Sequence, residues 1–373
     1  MKIGITGQDG FIGYHLSQTI KYKFEKYKIV PFEKSFLGNS TLLNSFVSSC
    51  DVIVHLAGVN RANSNEEVYT SNIQINLALK AALINTSFRG HLIFASSFQE
   101  DSDSLYGKAK KESRGFLEQT ISELGGKFTG VLIPNVFGPF CKSNYNSFIA
   151  TFCSEILINQ TPKIIQDSKV SLIYIENLVK QIIKNIQSKN EVKLNHIPSD
   201  IEIKVSEVLT LLNYFKDSYL KNNTLPLFSN SFEFDLFNTF RSYINLENNY
   251  PVFLKKNSDE RGFFSEILRT EIGGQFSYST TLPGITRGNH FHTRKIERFA
   301  VLNGEAKISL RKIGSEKIND FLLSGNQPSY IDMPVWYTHS ITNVGSEPLI
   351  TSFWINEPYD PNDTDTYFEN VYF

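Results

Sequence analysis

Tyr106 and Lys110 stand four apart in Tyr106-Gly107-Lys108-Ala109-Lys110, shortly after the pair Ser96-Ser97. That spacing puts both side chains on one face of a helix. An ammonium beside a phenol stabilises the phenolate and is expected to lower the tyrosine pKa. A tyrosine so placed donates a proton to a carbonyl oxygen as hydride arrives, and a serine hydroxyl at a neighbouring strand end holds that oxygen. Tyr106, Lys110 and Ser97 are therefore a candidate set for reducing a ketone.

Such chemistry needs a hydride carrier, and the chain opens on a cradle for one. Gly4-Ile5-Thr6-Gly7-Gln8-Asp9-Gly10-Phe11-Ile12-Gly13 lies between an apolar strand and a helix. Gly7 permits a tight turn, Gly10 lets backbone approach a pyrophosphate, and Gly13 lets the helix pack closely on the sheet. Small residues in His55-Leu56-Ala57-Gly58, at the end of a later strand, leave room for a dinucleotide to cross; His55 is expected to pack beside it. After the second strand come Glu33 and Lys34. The acid favours NADH through the ribose hydroxyls, the lysine NADPH through a 2′-phosphate, and the sequence leaves both open.

A different constellation lies far downstream. His290-Phe291-His292 is followed by Glu297, and His339 comes later. His-x-His sets two imidazoles on one face of a β-strand. A glutamate from the paired strand and a distant histidine complete a set of three nitrogens and one carboxylate. That set suits one divalent metal ion, Zn²⁺ first, with Ni²⁺, Mn²⁺ or Fe²⁺ as alternatives.

These groups imply two kinds of scaffold. Over residues 1–200 apolar runs (Lys2–Thr6, Lys28–Phe32, Val52–Ala57, His91–Ser96, Gly130–Ile133) alternate with helical stretches such as Gly13–Phe24 and Ser71–Ile84, which predicts an α/β Rossmann-like, doubly wound parallel sheet. Residues 200–245 read as mostly helical and are expected to cap that domain. From about Tyr250, short β-type runs (Pro251–Lys255, Gly262–Leu268, Phe299–Leu302, Ala306–Arg311, Ser329–Asp332, Leu349–Ile355) predict an all-β barrel. The expected domains are 1–245 and 246–373.

The 373 residues carry a net charge of −1, so no basic surplus points to nucleic acid. Cys50, Cys141 and Cys153 form no CxxC and read as buried free thiols, which fits a reducing compartment. The chain opens directly on a strand, and no apolar run approaches the roughly 18 residues that span a membrane. A cytoplasmic protein without membrane insertion is expected.

Thr6-Gly7-x-x-Gly10-Phe11-x-Gly13, His55-Leu56-Ala57-Gly58, the serine pair, Tyr106/Lys110 and Pro134-Asn135-Val136-Phe137-Gly138 make the first 240 or so residues resemble the extended short-chain dehydrogenase/reductase family. The resemblance implies that Ser97 joins the Tyr/Lys pair and that Asn135 lies on the nucleotide-sugar side. Members that dehydrate sugars carry Asp-Glu where this chain has Phe98-Gln99, which leaves reduction or epimerisation. An arginine that often precedes the Pro-Asn motif is replaced here by Leu132-Ile133, so part of the diphosphate contact must come from elsewhere.

Residues 275–345 resemble the two cupin motifs. Asp259-Glu260-Arg261-Gly262-Phe263-Phe264-Ser265-Glu266 and Ile285-Thr286-Arg287-Gly288-x-His290 are similar to the deoxysugar 3,5-epimerase branch. That likeness implies substrate contacts from Arg261, Glu266 and Arg287. It makes His290 the base, a role that competes with metal ligation; Tyr337 is the other candidate.

The whole chain, through Val54–Arg61, Asn144–Cys153 and Asp360-Pro361-Asn362, resembles bifunctional capsular-polysaccharide enzymes of the UDP-N-acetyl-L-fucosamine route. That implies a UDP-sugar substrate, a homodimer, epimerisation at C3 by the cupin and reduction at C4 by the first domain. A C4 ketone acidifies the C3 proton and reduction destroys the ketone, so epimerisation must come first. The alternatives are a reductase whose cupin is structural, and a non-enzymatic metal or sugar sensor.

Overall fold

The computed structural model describes residues 1–188, 193–254, 257–259, 262–264, 267, 269–270, 274–357 and 360–373; the side chains of 257–259, 262–264, 269–270 and 275 are outside the description. The chain forms two compact units, Met1–Thr151 with Ile164–Glu207, and Phe152–Lys163 with Val208–Phe373.

The first unit is built on β1 (Lys2–Thr6), β2 (Lys28–Val30), β3 (Val52–His55), β4 (His91–Ser97), β5 (Lys127–Ile133) and β8 (Leu194–His196). They form one sheet in the order β2-β1-β3-β4-β5-β8, every neighbouring pair parallel. Parallel neighbours require crossovers; the helices include α1 (Phe11–Lys23), α2 (Ser40–Ser48), α3 (Asn65–Asn85), α4 (Leu105–Leu124) and α6 (Ile175–Gln187). β3 and β4 are buried almost throughout, as strands covered on both faces must be. Phe46 and Val47 of α2, Leu79 and Leu83 of α3 and Leu117 of α4 pack with Ile53, Leu92 and Phe94 of the sheet in one apolar cluster. The chain runs from β1 outward to β2 and returns to β3 on the other side of β1, so a crevice opens beyond the ends of β1 and β3. Beside this sheet, β6 (Asn135–Phe137), β7 (Lys169–Tyr174) and β9 (Ile201–Lys204) form a small mixed sheet. α5 (Phe148–Leu157) and α7 (Val205–Phe215) each cross a unit boundary.

In the second unit, β11 (Val252–Phe253), β15 (Gln275–Thr281), β17 (Glu297–Asn303), β20 (Ser329–Met333) and β22 (Leu349–Ile355) make one antiparallel sheet. A second comprises β16 (Thr286–Phe291), β18 (Glu305–Lys312), β19 (Ile318–Ser324), β21 (Tyr337–Asn343) and β23 (Tyr367–Phe368). Ile308, Leu310 and Ile341 of the second sheet join Val301, Ile331 and Leu349 of the first in one apolar cluster, which closes the barrel. Two further short pairs are β10 (Thr224–Leu225) with β14 (Arg269–Thr270), and β12 (Asn257–Asp259) with β13 (Gly262–Phe264).

α8 (Ser231–Arg241) and α9 (Leu246–Asn249) also fall in the second unit. Arg241 of α8 donates to the Met333 carbonyl at 3.0 Å in a buried bond, and Arg298, in a buried two-pronged pair with Asp332, donates to Asn223, ahead of α8, at 3.1 Å in a part-buried one. All three cysteines are buried thiols outside any disulfide. Among the described residues no helix is long and apolar enough to cross a membrane.

Candidate active site and metal centre

The glycine cradle fills the crevice at the ends of β1 and β3. Gly7 sits at φ +71°, and a Cβ on Gly13 would collide with the Gly7 carbonyl, so α1 can approach the turn only through glycine. α1 starts after Gly10 with no side chain capping its amides, which leaves the helix N-terminus open to an anion. These features fit a dinucleotide pyrophosphate. Phe11 is half-buried, as is Leu56, while Ala57 is buried and Gly58 exposed. Glu33 and Lys34 are exposed where the chain leaves β2, and Glu33 accepts from Ser35 Oγ at 3.3 Å.

The strand ends are braced by buried and part-buried hydrogen bonds, two of whose partners, Asn72 and Asn76, the sequence does not mark. Thr6 Oγ1 accepts from the amides of Leu56 and Ala57, both at 3.2 Å, and meets His55 Nδ1 at 2.7 Å. His55 Nε2 meets Asn76 Oδ1 at 3.0 Å. With its lone pairs occupied, Thr6 donates to Nδ1, so the ring proton sits on Nε2 and points at Asn76. Burial, then the Lys110 charge, pushes His55 down to about 3; it is a neutral structural bridge, as expected of a residue that packs. Asn72 clamps the backbone of Val59 from both sides, accepting from its amide at 3.1 Å and donating to its carbonyl at 2.7 Å.

α4 carries the reducing pair. Ser104 caps it by accepting from the Gly107 amide at 3.0 Å. Lys110 is buried; its Nζ donates to the Ala95 carbonyl at 3.0 Å and lies 5.9 Å from the centre of the Tyr106 ring. A Cβ on Gly58 would stand 3.3 Å from the same Nζ, so the lysine reaches the crevice where the dinucleotide fits. Ser97 closes β4, half-buried, with its Oγ accepting from the Gln99 amide at 3.2 Å. A Cβ on Gly107 would collide with the Gln99 carbonyl. The glycine after Tyr106 therefore lets α4 press against the turn that follows Ser97. Beneath that turn, buried Glu100 accepts from Ser96 and, through both oxygens, from Arg114 at 2.9–3.0 Å.

One expectation is corrected here. Lys110 does not depress Tyr106: burial, with Tyr145 adding to it, pushes the phenol up to about 12, and burial pushes Lys110 down to about 8. Removal from water is the largest cause of both shifts. Asn135, at the start of β6, is exposed and donates to the Ser171 carbonyl at 3.3 Å. Leu132 and Ile133 are buried in β5.

In the second unit the structure gathers all four expected ligands. One ligand atom each from His290, His292, Glu297 and His339 lies within 4.8 Å of the others. Glu297 Oε2 is 3.1 Å from His292 Nε2 and 3.3 Å from His339 Nε2, yet none of the three atoms has an aligned hydrogen bond. His292 Nδ1 faces the Asp365 carbonyl at 2.6 Å. A proton on Nδ1 donates there and turns the Nε2 lone pair toward a carboxylate oxygen. Buried lone pairs facing one another need a cation between them. Ligand atoms around a tetrahedral Zn²⁺ stand roughly 3.3 Å apart, so the donor set fits a divalent metal. Burial, then the neighbouring His339 and His292 charges, pushes His290 down to about 3, which keeps its lone pair available.

The route to this geometry differs from simple strand alternation. His290 lies in β16 opposite His339 of β21, and a bulge at Asn289, φ 57°, shifts the register just before it. A bulge re-aims the side chains beyond it. Glu297 is not on a strand paired with β16, as the sequence suggested. It opens β17 in the facing sheet, because β16 is already flanked by β21 and β23. Arg287 is exposed near the start of β16, donating to Thr281 Oγ1 at 3.1 Å. Arg261 and Glu266 lie outside the described residues.

Comparison with known proteins agrees with both halves. Residues 3–198 match the NAD dependent epimerase/dehydratase family, and residues 257–367 match the polysaccharide biosynthesis C-terminal domain. The capsular polysaccharide assembling protein CapF from Staphylococcus aureus, a solved structure, is 33% identical, with 100% of each chain covered and a TM-score of 0.63. The chain belongs to the NAD dependent epimerase/dehydratase family, in its CapF branch. Across that CapF length it is also similar to a Pseudomonas aeruginosa protein named UDP-2-acetamido-2,6-beta-L-arabino-hexul-4-ose reductase, at 33% identity over 372 residues and 98% of each chain. RMD from Pseudomonas aeruginosa, solved with NADPH, shares the fold of the first part at 18% identity and TM-score 0.52, covering 57% of this chain and 83% of that one.

Proposed function

We propose that the chain is a bifunctional nucleotide-sugar enzyme of capsular or surface polysaccharide synthesis. Its barrel epimerises C3 of a UDP-4-keto-6-deoxy-N-acetylhexosamine, and its first unit reduces C4 with NAD(P)H. The observation that carries this reading is the Tyr106/Lys110 pair at the mouth of a dinucleotide crevice, in a chain 33% identical along its length to a hexulose 4-reductase.

In the reduction, NAD(P)H held on the Gly7–Gly13 turn supplies the hydride. Ser97 holds the C4 oxygen and Tyr106 Oη gives it a proton. A phenol pushed up to about 12 is fully protonated at neutral pH and ready to donate. Lys110, fixed on the Ala95 carbonyl, offsets the charge that then develops on the tyrosine oxygen. Asn135 contacts the nucleotide sugar. In the epimerisation, His290, His292, Glu297 and His339 hold a divalent metal, most simply Zn²⁺, which when bound supplies positive charge to the enolate oxygen formed from the ketone. Arg261, Glu266 and Arg287 hold the sugar nucleotide. A proton leaves C3 on one face and a solvent-derived proton is added on the other; Tyr337, half-buried two residues before His339, is the candidate for one of these two transfers, since His290 is committed to the cluster.

Incubating the purified chain with a UDP-4-keto-6-deoxy-N-acetylhexosamine and NADH or NADPH, followed by NMR of the product, tests this reading. A 4-hydroxy product inverted at C3 supports it. Absence of turnover with either coenzyme contradicts it.

A further inference from the structure

The segment from Asp363 to Phe373 is stitched to residues around all three histidines of the cluster. β23 pairs with β16, setting Phe368 opposite His290 and Tyr367 opposite Phe291. The Glu369 amide donates to the Asn289 carbonyl at 2.9 Å, and the Val371 amide to Asn289 Oδ1 at 3.2 Å, which ties down the bulge before His290. Thr338, next to His339, donates to the Glu369 carbonyl. Arg311, 2% exposed, gathers the carbonyls of Asn370 and Val371 at 2.6 and 2.8 Å and the Glu369 carboxylate at 3.1 Å.

Asp365 is the centre of this strap. It is 2% exposed and sits at φ 42°, in the left-handed region. Its carboxylate accepts from the amides of Thr293, Arg294 and Lys295 at 2.9–3.2 Å and from Thr293 Oγ1 at 2.6 Å, all in the turn that follows His292. Its carbonyl receives His292 Nδ1. One residue thus fixes both the backbone that carries His292 and the orientation of its ring.

We propose that the strap 363–373 is a working part of the metal site, with Asp365 as the positioning residue that keeps His292 Nε2 bare and aimed at the ion. The proposal deepens the metal reading above and rests on it. An outer partner that orients a ligating histidine and sets its tautomer changes metal affinity about 10- to 100-fold. Binding is also reciprocal: if the strap favours the bound ion, the ion must favour the closed strap.

The test strips the full-length wild-type chain with a chelator, then measures Zn²⁺ affinity by competition titration. The same is done for Asp365→Ala, Asp365→Asn and Lys317→Gln, with the melting temperature of each metal-free form recorded. Asp365→Ala is expected to weaken Zn²⁺ binding about 10- to 100-fold. Asp365→Asn, which keeps an acceptor oxygen, is expected to recover part of it. Lys317→Gln, altered at an exposed pair with Glu247 outside the strap, is expected to bind as wild type does. Should Asp365→Ala fail to fold, hydrogen exchange on wild type decides. Zn²⁺ is expected to slow exchange at the Glu369 and Val371 amides and leave β4 unaffected. A folded Asp365→Ala with wild-type affinity, or strap amides indifferent to bound Zn²⁺, would overturn the strap's role while leaving the site standing. A wild-type chain that takes up no metal would overturn the site and the proposal together.

Discussion

Lys110 donates from Nζ to the Ala95 carbonyl at 3.0 Å, at the end of β4, while standing 5.9 Å from the centre of the Tyr106 ring. One bond therefore fixes the ammonium between the sheet and the phenol. It also buries a charge, and the two consequences run in opposite directions with pH. Burial brings Lys110 from 10.5 down to about 8. Between those values the unfolded chain keeps a proton that the folded chain has released, so stability rises with pH across the window; below about 8 the penalty of the buried ammonium is constant. The active form is lost over the same range. Reduction is expected to fall as pH rises through about 8, approaching tenfold per unit, while thermal stability increases. Parallel pH series of coenzyme oxidation and melting temperature check this; a rate that holds level to pH about 10 would remove Lys110 from the reaction.

Tyr106→Phe deletes the proton donor and leaves the ring. Coenzyme oxidation is expected to drop by about 10²- to 10⁴-fold. Exchange of the substrate C3 proton with solvent, proposed to occur in the barrel, is expected to continue at the wild-type rate. Stopped-flow absorbance and NMR in deuterated buffer read the two separately, and equal loss of both would show that the sites are not independent.

Gly107 occupies an unassigned place in the Tyr-x-x-x-Lys spacing, yet a Cβ there would collide with the Gln99 carbonyl. Gly107→Ala must push the start of α4 away from the turn after Ser97. A cost of about 1–3 kcal/mol is expected in chemical unfolding, with reduction impaired far more than coenzyme binding. Wild-type turnover in this variant would show that the contact has no bearing on the Tyr106 position.

His292→Ala removes a ring that faces Glu297 at 3.1 Å and the Asp365 carbonyl at 2.6 Å. Loss of metal from the purified protein is expected, with C3 exchange reduced about 100-fold or more. Chelation of the wild type should have the same effect, and re-addition of Zn²⁺ should restore exchange. Exchange that survives complete metal removal would rule out a catalytic ion.

Much of the first site was legible because its signals are local. A strand, a glycine turn and a helix follow one another within residues 2–23, and Tyr106 and Lys110 share one helix. The four cluster residues were also legible by type. Their arrangement was not, since it depends on topology. Glu297 comes only five positions after His292 but crosses to the facing sheet, and the Asn289 bulge shifts the register just before His290. Asp365 lies 73 residues from His292, with nothing local to mark it. The shift of Tyr106 was misjudged for the same reason: spacing shows that a lysine is near, whereas burial is a property of the packed fold.

In the proposed order of reactions the barrel uses the C4 ketone before the first unit destroys it. The most direct measurement is a single reaction in deuterated buffer, with the UDP-4-keto-6-deoxy-N-acetylhexosamine and protium-bearing NADPH or NADH, and NMR assignment of the product. The expected product carries deuterium at C3, with inverted configuration, and protium at C4 delivered by the coenzyme. A reduced product with protium retained at C3 would contradict it.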